Sequence, residues 1–246
     1  MKISRQCFVY LTQKKNKVVL IILMLALSNI AYSQNLSIGI KDGLSRSDIK
    51  FQNNNYRSNS LKGGRNYGLM LNYQITNFLS VQSELYHSDK GFKFYRDLPS
   101  GYTGGGLHGN YKMSYTTIPL SANFEIGKSF KFYGYGGLYI SFLNSAGNQI
   151  TLVSNSIPDL HHDLSYDPTS EFNSSEKGAL FGLGVKIPLC NKVKLFVDTR
   201  YETGITKAVN ENAEFGDYHV IGDFKDVYNR SFSISWGILY RFKSPD

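Results

Sequence analysis

Alternation of apolar and polar residues with a period of two is the dominant pattern of the chain beyond residue 34. This period places successive side chains on opposite faces of the backbone and is typical of a β-strand. Eight segments are strand-like, of which the fourth and fifth have less distinct faces: LSIGIK, YGLMLNYQI, LSVQSELYHS, YKMSYTTIPLSANFEI, FKFYGYGGLYISF, ALFGLGVKI, VKLFVDTRYE and SFSISWGILYRF. The pattern therefore predicts an all-β chain of eight strands. Pro119, in the fourth segment, predicts a bulge there because proline cannot donate to a ladder.

Connections between the predicted strands are alternately short and long. The short ones are Thr76–Asn77, Gly127–Ser129 and Leu189–Lys192. The long ones cover 45–65, 88–110, 144–177 and 206–230, and are rich in Asn, Ser, Asp and Gly. If eight antiparallel strands run up and down, every short turn lies at one end and every long loop at the other. Outer-membrane barrels have this layout.

The alternation alone leaves two interpretations of which face is outside. A soluble lipocalin-type barrel keeps its apolar faces inside, whereas a membrane barrel turns them toward lipid. Charges of both signs on the polar faces, the loop asymmetry and aromatic residues at the ends of the apolar faces favour the membrane barrel. We therefore predict an eight-stranded antiparallel up-and-down transmembrane β-barrel with short periplasmic turns and long extracellular loops. Eight strands leave an interior that side chains can fill, which excludes a wide porin.

Charged residues on the polar faces are expected to meet in the lumen of this barrel. The predicted lumen polar cluster consists of Glu84, Asp198, Arg200, Glu202 and Arg241. Such a cluster could line an ion pathway. Mixed charges in a narrow lumen must pair to offset their desolvation, so a salt-bridged plug is favoured.

The first 33 residues have the features of a secretory signal peptide. An apolar run, Val18–Leu27, is followed by Ala31 and Ser33, which fit an A-x-S cleavage site before Gln34. We predict a signal peptide over 1–33, cleaved between Ser33 and Gln34, and a single β-barrel domain over 34–246. The alternative of an uncleaved anchor is disfavoured, because spanning a bilayer takes about 20 apolar residues.

The net charge of +8 belongs mostly to this leader and does not indicate a nucleic-acid partner. Five of the 27 basic residues precede the apolar run, which leaves 22 basic against 19 acidic residues in the remainder. The 18 Tyr, 16 Phe and 23 Gly against 6 Pro are typical of a turn-rich β protein. Cys190 is the only cysteine after the leader, so no internal disulfide is expected.

Several stretches, taken together and in order, resemble one family. They are SIGIKDGLSRSD (37–48), SVQSELYHSDKGFKF (80–94), YTTIPLSANF (115–124), DTRYETGITK (198–207) and SFSISWGILYRF (231–242). This set resembles the PorT-like outer-membrane β-barrel proteins of Bacteroidetes, and the AYSQ leader ending is similar to signals of that group. The resemblance implies an eight-stranded barrel in the cell outer membrane. The family is named after a member linked to type IX protein secretion and supplies no catalytic motif.

The function expected from these features is a non-catalytic structural, binding or secretion-accessory role through long extracellular loops. The 144–177 loop, with Tyr166, Phe172 and two histidines, is the expected partner surface. Expected partners are outer-membrane lipid, the barrel-assembly machinery, and envelope or secretion proteins. A small pore and an outer-rim lipid-modifying enzyme are the alternatives.

The histidines offer no clear catalytic or metal site. All five lie in or near the predicted long connections: His87, His108, His161, His162 and His219. His161 and His162 with Asp159 or Asp163 would suit a divalent metal, but metal-ligand spacing is missing, so no metal or cofactor is predicted. His87 and Ser88 are adjacent on a strand and should point to opposite faces, which disfavours a nucleophile and base pair.

The last predicted strand contains a pattern that resembles the assembly signal of outer-membrane barrels. Ser235, Gly237, Tyr240 and Phe242 follow the order polar, glycine, aromatic, aromatic, four residues before the last residue of the sequence. An ordinary amphipathic closing strand would have similar residues, and the two interpretations are compatible.

Replacing Phe242 with aspartate tests the assembly interpretation. We expect the Phe242→Asp variant to give less folded barrel in the outer membrane, measured by fractionation and heat-modifiable gel mobility. An unchanged yield would leave only an ordinary closing strand.

Overall fold

The computed structural model describes residues 35–50, 57–97, 106–153, 161–164, 167–210 and 227–242. The predicted leader 1–33 and its cleavage site at Ser33 and Gln34 lie outside these residues. The strands are β1 Leu36–Lys50, β2 Arg57–Gln74, β3 Leu79–Asp97, β4 Gly106–Ile126, β5 Lys131–Val153, β6 His161–Leu164, β7 Ser175–Pro188, β8 Val193–Gly204 and β9 Tyr228–Arg241. A single 3₁₀ turn, Thr169–Glu171, precedes β7. Within these ranges no helix is long and apolar enough to cross a membrane.

Eight of the strands close into an antiparallel ring, in the order β1-β2-β3-β4-β5-β7-β8-β9. β9 returns to pair with β1 from Ser37↔Arg241 to Lys50↔Tyr228, so the ring has no open edge. The short strand β6 pairs only with the end of β5 and is not part of the ring. The predicted eight-stranded barrel is confirmed.

The stagger of the strands fixes the width of the barrel. Starting from Ile38 and following paired residues around the ring leads back to β1 at Asp48, ten positions further on. Strand number and stagger together determine tilt and diameter, and such barrels tilt their strands by roughly 35–45°. The result is a narrow bore that side chains can fill.

Apolar side chains cover the outside of the barrel in the half nearer the short turns. Ile40 is 59% exposed and Leu183 is 69% exposed, whereas the inward-facing Arg200 is 1% exposed. Exposed aromatic residues border this band at both ends: Tyr73, Phe78, Phe124, Phe130 and Phe132 near the short turns, and Tyr67, Phe142, Phe181 and Phe232 toward the other end. The apolar outside and polar inside are those of a membrane barrel, the reverse of a lipocalin.

The strands extend further than the sequence pattern predicts. β4 has 21 residues and β5 has 23, although a spanning strand needs about 9–11. The predicted long connections 45–65 and 88–110 are largely strand, because only 51–56 and 98–105 separate the strands there. We call residues 88–97, 106–115 and 143–153 of β3, β4 and β5 the wall extension.

The polarity of the two faces inverts within the wall extension. On β3, the inward side chains change from Glu84 and Ser88 to Phe92 and Phe94, while Lys93 is exposed outside. The wall extension therefore resembles a water-soluble barrel, with apolar residues inside and polar residues outside.

Two local irregularities differ from expectation. Pro119 does not form a bulge: it pairs with Tyr139, and the irregularity between β4 and β5 falls at Ser114 and Tyr115. The turn between β4 and β5 contains Gly127 with a φ of 111°, a left-handed conformation that favours glycine.

Glycines on β7 make room for tyrosines on β5. Gly178, Gly182 and Gly184 are the paired neighbours of Tyr139, Tyr135 and Tyr133, respectively. A Cβ added at any of the three would lie about 2.4–2.5 Å from the ζ carbon of its tyrosine. The rings therefore lie over the glycine backbone and fill the lumen beside it.

Substitution of Gly182 tests this packing. We expect Gly182→Ala to lower stability by about 1–3 kcal/mol, because the added Cβ overlaps the Tyr135 ring. The measurement is the temperature at which the folded gel form converts to the unfolded one. Gly147→Ala is the matched control, since nothing lies within 4 Å of a Cβ there. Equal midpoints for the two variants would contradict the packing role.

Candidate functional site

Four of the five predicted lumen residues meet inside the barrel. Glu84 on β3 and Asp198, Arg200 and Glu202 on β8 all point inward and are buried. Arg241 also lies on the inward face, but at the short-turn mouth, where its guanidinium is 3.4 Å from Asn35 Oδ1. The structure therefore separates Arg241 from the other four.

Glu84 and Arg200 form the centre of the lumen network. The Arg200 Nη1 and Nη2 atoms donate to the two oxygens of Glu84 at 3.1 and 2.5 Å. Lys41 Nζ on β1 donates to the same carboxylate at 2.6 Å, and Gln82 Nε2 donates at 2.8 Å. The carboxylate is thus fully paired, as a buried charge requires.

A second group of charges continues the network toward the long-loop end. Glu202 accepts hydrogen bonds from Tyr86 and Ser231 and lies 3.5 Å from Lys90 Nζ. Lys90 also donates to Glu176 at 3.2 Å. Arg200 joins the two groups, since its Nη1 is 3.8 Å from Glu202.

Aromatic rings pack between these charges. Lys41 Nζ lies 4.0 Å from the centroid of the Tyr86 ring, and the Arg200 guanidinium lies 5.5 Å from the same ring. Tyr135 accepts a hydrogen bond from Arg200 Nε at 3.1 Å. Tyr133 donates to Asp198 Oδ2 at 3.0 Å. Cations above these rings add attraction to that of the ion pairs.

A separate ion cluster lies near the short turns. Glu125 on β4 accepts from Lys186 at 2.6 Å and from Lys131 at 3.0 Å. Ser80 donates to the same carboxylate at 3.2 Å. The lumen therefore holds paired charges both in its middle and at the end near the short turns.

An apolar cap closes the lumen above the charges. Its members are buried residues of the upper strands and of the connections: Ile49, Phe92, Phe94, Tyr111, Met113, Tyr115, Ala146, Phe172, Val209 and Val227. Phe172 and Val209 pair through an isolated β-bridge. Phe172, expected on a partner surface, is instead 4% exposed within this cap, and Tyr166 lies outside the described residues.

Several members of the network were missed in the sequence. Lys41 lies in the alternating segment LSIGIK, whose inward face predicts it. Lys90 and Glu176 lie in segments that the sequence pattern assigns to loops, so their inward position had no visible signal. Tyrosine is uncharged, so the pattern of charged residues does not mark these hydroxyls as members of the network. Their contacts become visible only when the register of the strands is known.

The structure places His87 and Ser88 on opposite faces of β3. His87 Nε2 lies 3.2 Å from Asp89 on the outer face, while the neighbouring Ser88 is buried on the inner face. No three His, Cys, Asp or Glu side chains in the described ranges could hold a metal ion. The side chains of His161, His162 and Asp163, together with Asp159 and His219, lie outside the description.

The residues of the assembly pattern have distinct packing roles. Ser235 points inward and donates to Asn66 Oδ1 at 3.1 Å, and Gly237 leaves space for the Phe196 ring. Tyr240 is exposed on the outer face, with its ring centroid 5.5 Å from that of Phe242. The Phe242 backbone N–H donates to the Leu36 carbonyl at 3.0 Å, which prolongs the closing seam.

A closed ring of eight strands with a lipid-facing apolar band and a filled polar lumen defines an integral outer-membrane barrel. The sequence model of the family described as outer membrane protein beta-barrel domain matches residues 32–210. The chain therefore belongs to this family and is located in the cell outer membrane.

Solved structures of three outer-membrane proteins are similar to this chain. Neisserial surface protein A has 16% identity over 85% of this chain and 98% of its own, with a TM-score of 0.44. OprG from Pseudomonas aeruginosa has 14% identity over 87% and 99%, with a TM-score of 0.41. Ail of Yersinia pestis has 14% identity over 84% and 99%, with a TM-score of 0.38. A search of the curated proteins finds no match.

Replacing Arg200 tests the importance of the lumen pairs. We expect Arg200→Met to destabilise the barrel by about 3–5 kcal/mol, because Glu84 loses its bidentate partner while it stays buried. The control Arg230→Met removes a half-exposed cation and should cost about 0–1 kcal/mol. Both are measured as the unfolding temperature in the heat-modifiable gel assay. A similar effect of the two variants would contradict the role of the pair.

Proposed function

We propose that the protein is a sealed, non-catalytic barrel that presents its wall extension to other envelope proteins, in a structural, binding or secretion-accessory role. The filling of the lumen carries this proposal. A layer of paired charges and an apolar cap above it fill the bore with side chains. A role outside the lumen then becomes the better explanation of the long strands.

The wall extension has the properties of a binding surface. It raises a paired sheet beyond the apolar band, and its outer face exposes polar residues such as Lys93, His108, Asn144 and Gln149. A pocket of about 310 Å³ is lined by Lys93, His108, Asn110, Gln149 and Thr151, among others. The apolar cap supports the inner face, so this surface is held rigid for recognition.

The sequence resemblance to PorT-like proteins agrees with an accessory role in secretion. We propose that the partners are envelope or secretion proteins, besides the surrounding lipid and the assembly machinery. A non-catalytic role is supported by the separation of His87 from Ser88 on opposite faces of β3. Glu84 and Glu202 are each held by buried cations and hydrogen-bond donors, which leaves these two carboxylates poorly suited to acid or base chemistry.

Electrical recording tests whether the lumen is sealed. We expect the purified barrel to give no steady conductance in planar lipid bilayers, because paired charges and the apolar cap fill the bore. A large and steady conductance would favour the alternative of a small pore. Conversion of the heat-modifiable gel band serves as the control that the inserted protein is folded.

Site-specific photocrosslinking in intact cells tests the binding surface. A crosslinking residue at Gln149 on the wall extension should capture a protein, whereas the same residue at the lipid-facing Leu183 should not. Folding of both variants is checked by gel mobility. Protein adducts at neither position, or equally at both, would contradict a partner surface on the wall extension.

A further inference from the structure

A groove of about 840 Å³ lies on the outside of the barrel wall, where β9, β1, β2, β3 and β4 run side by side. It lies below the wall extension and shares Asp89 and Lys112 with it. One side of the groove is apolar and includes Leu44, Ile234 and Trp236. The other side carries the cations Arg46, Lys62, Arg65 and Lys112, together with Asp89, whose carboxylate lies 3.7 Å from Lys112 Nζ. We call this feature the wall groove.

A strand irregularity creates the floor of the wall groove. Between Leu61 and Asn66, four residues of β2 face only three residues of β3, so the ladder between the two strands is interrupted. Two of the four are Gly63 and Gly64, which add no side chain to the wall. A β-bulge of this kind bends its strand and changes the direction of neighbouring side chains.

Serine side chains from β1 replace the interrupted hydrogen bonds. Ser47 Oγ accepts from the Gly91 N–H at 2.8 Å and lies 3.0 Å from the Gly91 carbonyl, to which it donates. Ser45 Oγ donates to the Asp89 carbonyl at 3.2 Å. Because the backbone polar groups of β3 are satisfied in this way, the irregularity is a built feature of the wall.

The wall groove lies at the upper border of the apolar band. On β1, the outward residues change from Ile40 and Leu44 to Arg46, and on β9 they change from Phe232 to Arg230 in the direction of the long-loop end. Short turns of such barrels are periplasmic, so this border faces the outer leaflet. Trp236, on the apolar side of the groove, suits the boundary between hydrocarbon and head groups.

Positive charge exceeds negative charge around the groove. The outward basic residues at this level are Arg46, Lys62, Arg65, Lys93, Lys112 and Arg230, against Asp42, Asp48 and Asp89. In the described part of the chain, neither Arg46 nor Lys93 has a carboxylate within ion-pair distance. Partial burial and the nearby Lys93 and Lys112 lower the pKa of Lys62, and its Nζ donates to Asn110 Oδ1 at 2.7 Å.

The opposite wall of the barrel lacks this charge. At the same level, the described outward residues of β5, β7 and β8 are neutral, such as Asn144 and Thr203, apart from Lys177. A uniform ring of cations would reflect general attraction to an anionic membrane. Charge confined to one wall and placed over a groove indicates a specific ligand.

We propose that the wall groove binds a phosphorylated glycolipid of the outer leaflet, with a lipid A-type phosphate on Arg46, Lys62 and Lys112. An acyl chain of the same lipid lies against Leu44, Ile234 and Trp236. Phosphate oxygens accept charge-assisted hydrogen bonds from guanidinium and ammonium groups, and the chain covers apolar surface. The proposal does not require a protein partner on the wall extension, although Lys112 belongs to both surfaces.

The only tryptophan of the sequence provides a direct readout, because Trp236 lines the wall groove. We expect titration of the refolded barrel in detergent with lipid A to change Trp236 fluorescence in a saturable manner. The double variant Arg46→Gln/Lys62→Gln should bind at least about tenfold more weakly, since each surface cation contributes to anion binding. The control Lys128→Gln/Lys177→Gln should bind like the unaltered protein.

Further ligands distinguish the chemistry of recognition. Dephosphorylated lipid A should bind the unaltered barrel as weakly as intact lipid A binds the double variant, and inorganic phosphate alone should not saturate the signal. Gly63→Leu, whose added Cβ meets nothing within 4 Å, should block the groove without disturbing the fold. Equal affinity of the unaltered barrel and the double variant, or of phosphorylated and dephosphorylated lipid, would overturn the proposal.

Discussion

Within a membrane, every backbone N–H and C=O must find its partner inside the protein, since each unsatisfied group costs several kcal/mol. In this chain the requirement is met where β9 pairs with β1, which joins the two ends of an otherwise open sheet. Closure with eight strands and a stagger of ten residues fixes a narrow bore. The content of the lumen follows from that bore, because inward side chains have no space to avoid one another.

The buried charges then help to specify one alignment of the strands. A slip of one residue turns every side chain of a strand to the other face. Such a slip would move Arg200 into lipid while Glu84 stayed inside without it, and both consequences cost several kcal/mol. The charged lumen therefore penalises wrong registers more strongly than an apolar filling would. The Lys41 contact to Glu84 extends the same penalty to β1.

The period of two was sufficient to find eight strands, the facing of six of them and the central members of the lumen. It failed where the physical surroundings change. Above the membrane, the apolar face turns from the outside to the inside of the barrel. Segments such as 88–97 therefore look irregular when one apolar face is assumed for the whole strand. Lys90 and Glu176 were missed because the segments 88–110 and 144–177 that contain them were assigned to loops. Phe172 was placed on the surface because its burial depends on contacts with distant residues such as Val209, which no local pattern contains.

The tyrosines of β5 and the glycines of β7 show how volume is shared in a tight bore. Each ring uses the space that its neighbour on the next strand leaves empty. The volume of side chain that fits at one position therefore depends on the residue paired with it on the neighbouring strand. Related barrels that carry a larger residue at position 182 should carry a smaller one at position 135, so these pairs should covary during evolution even though neither residue takes part in binding.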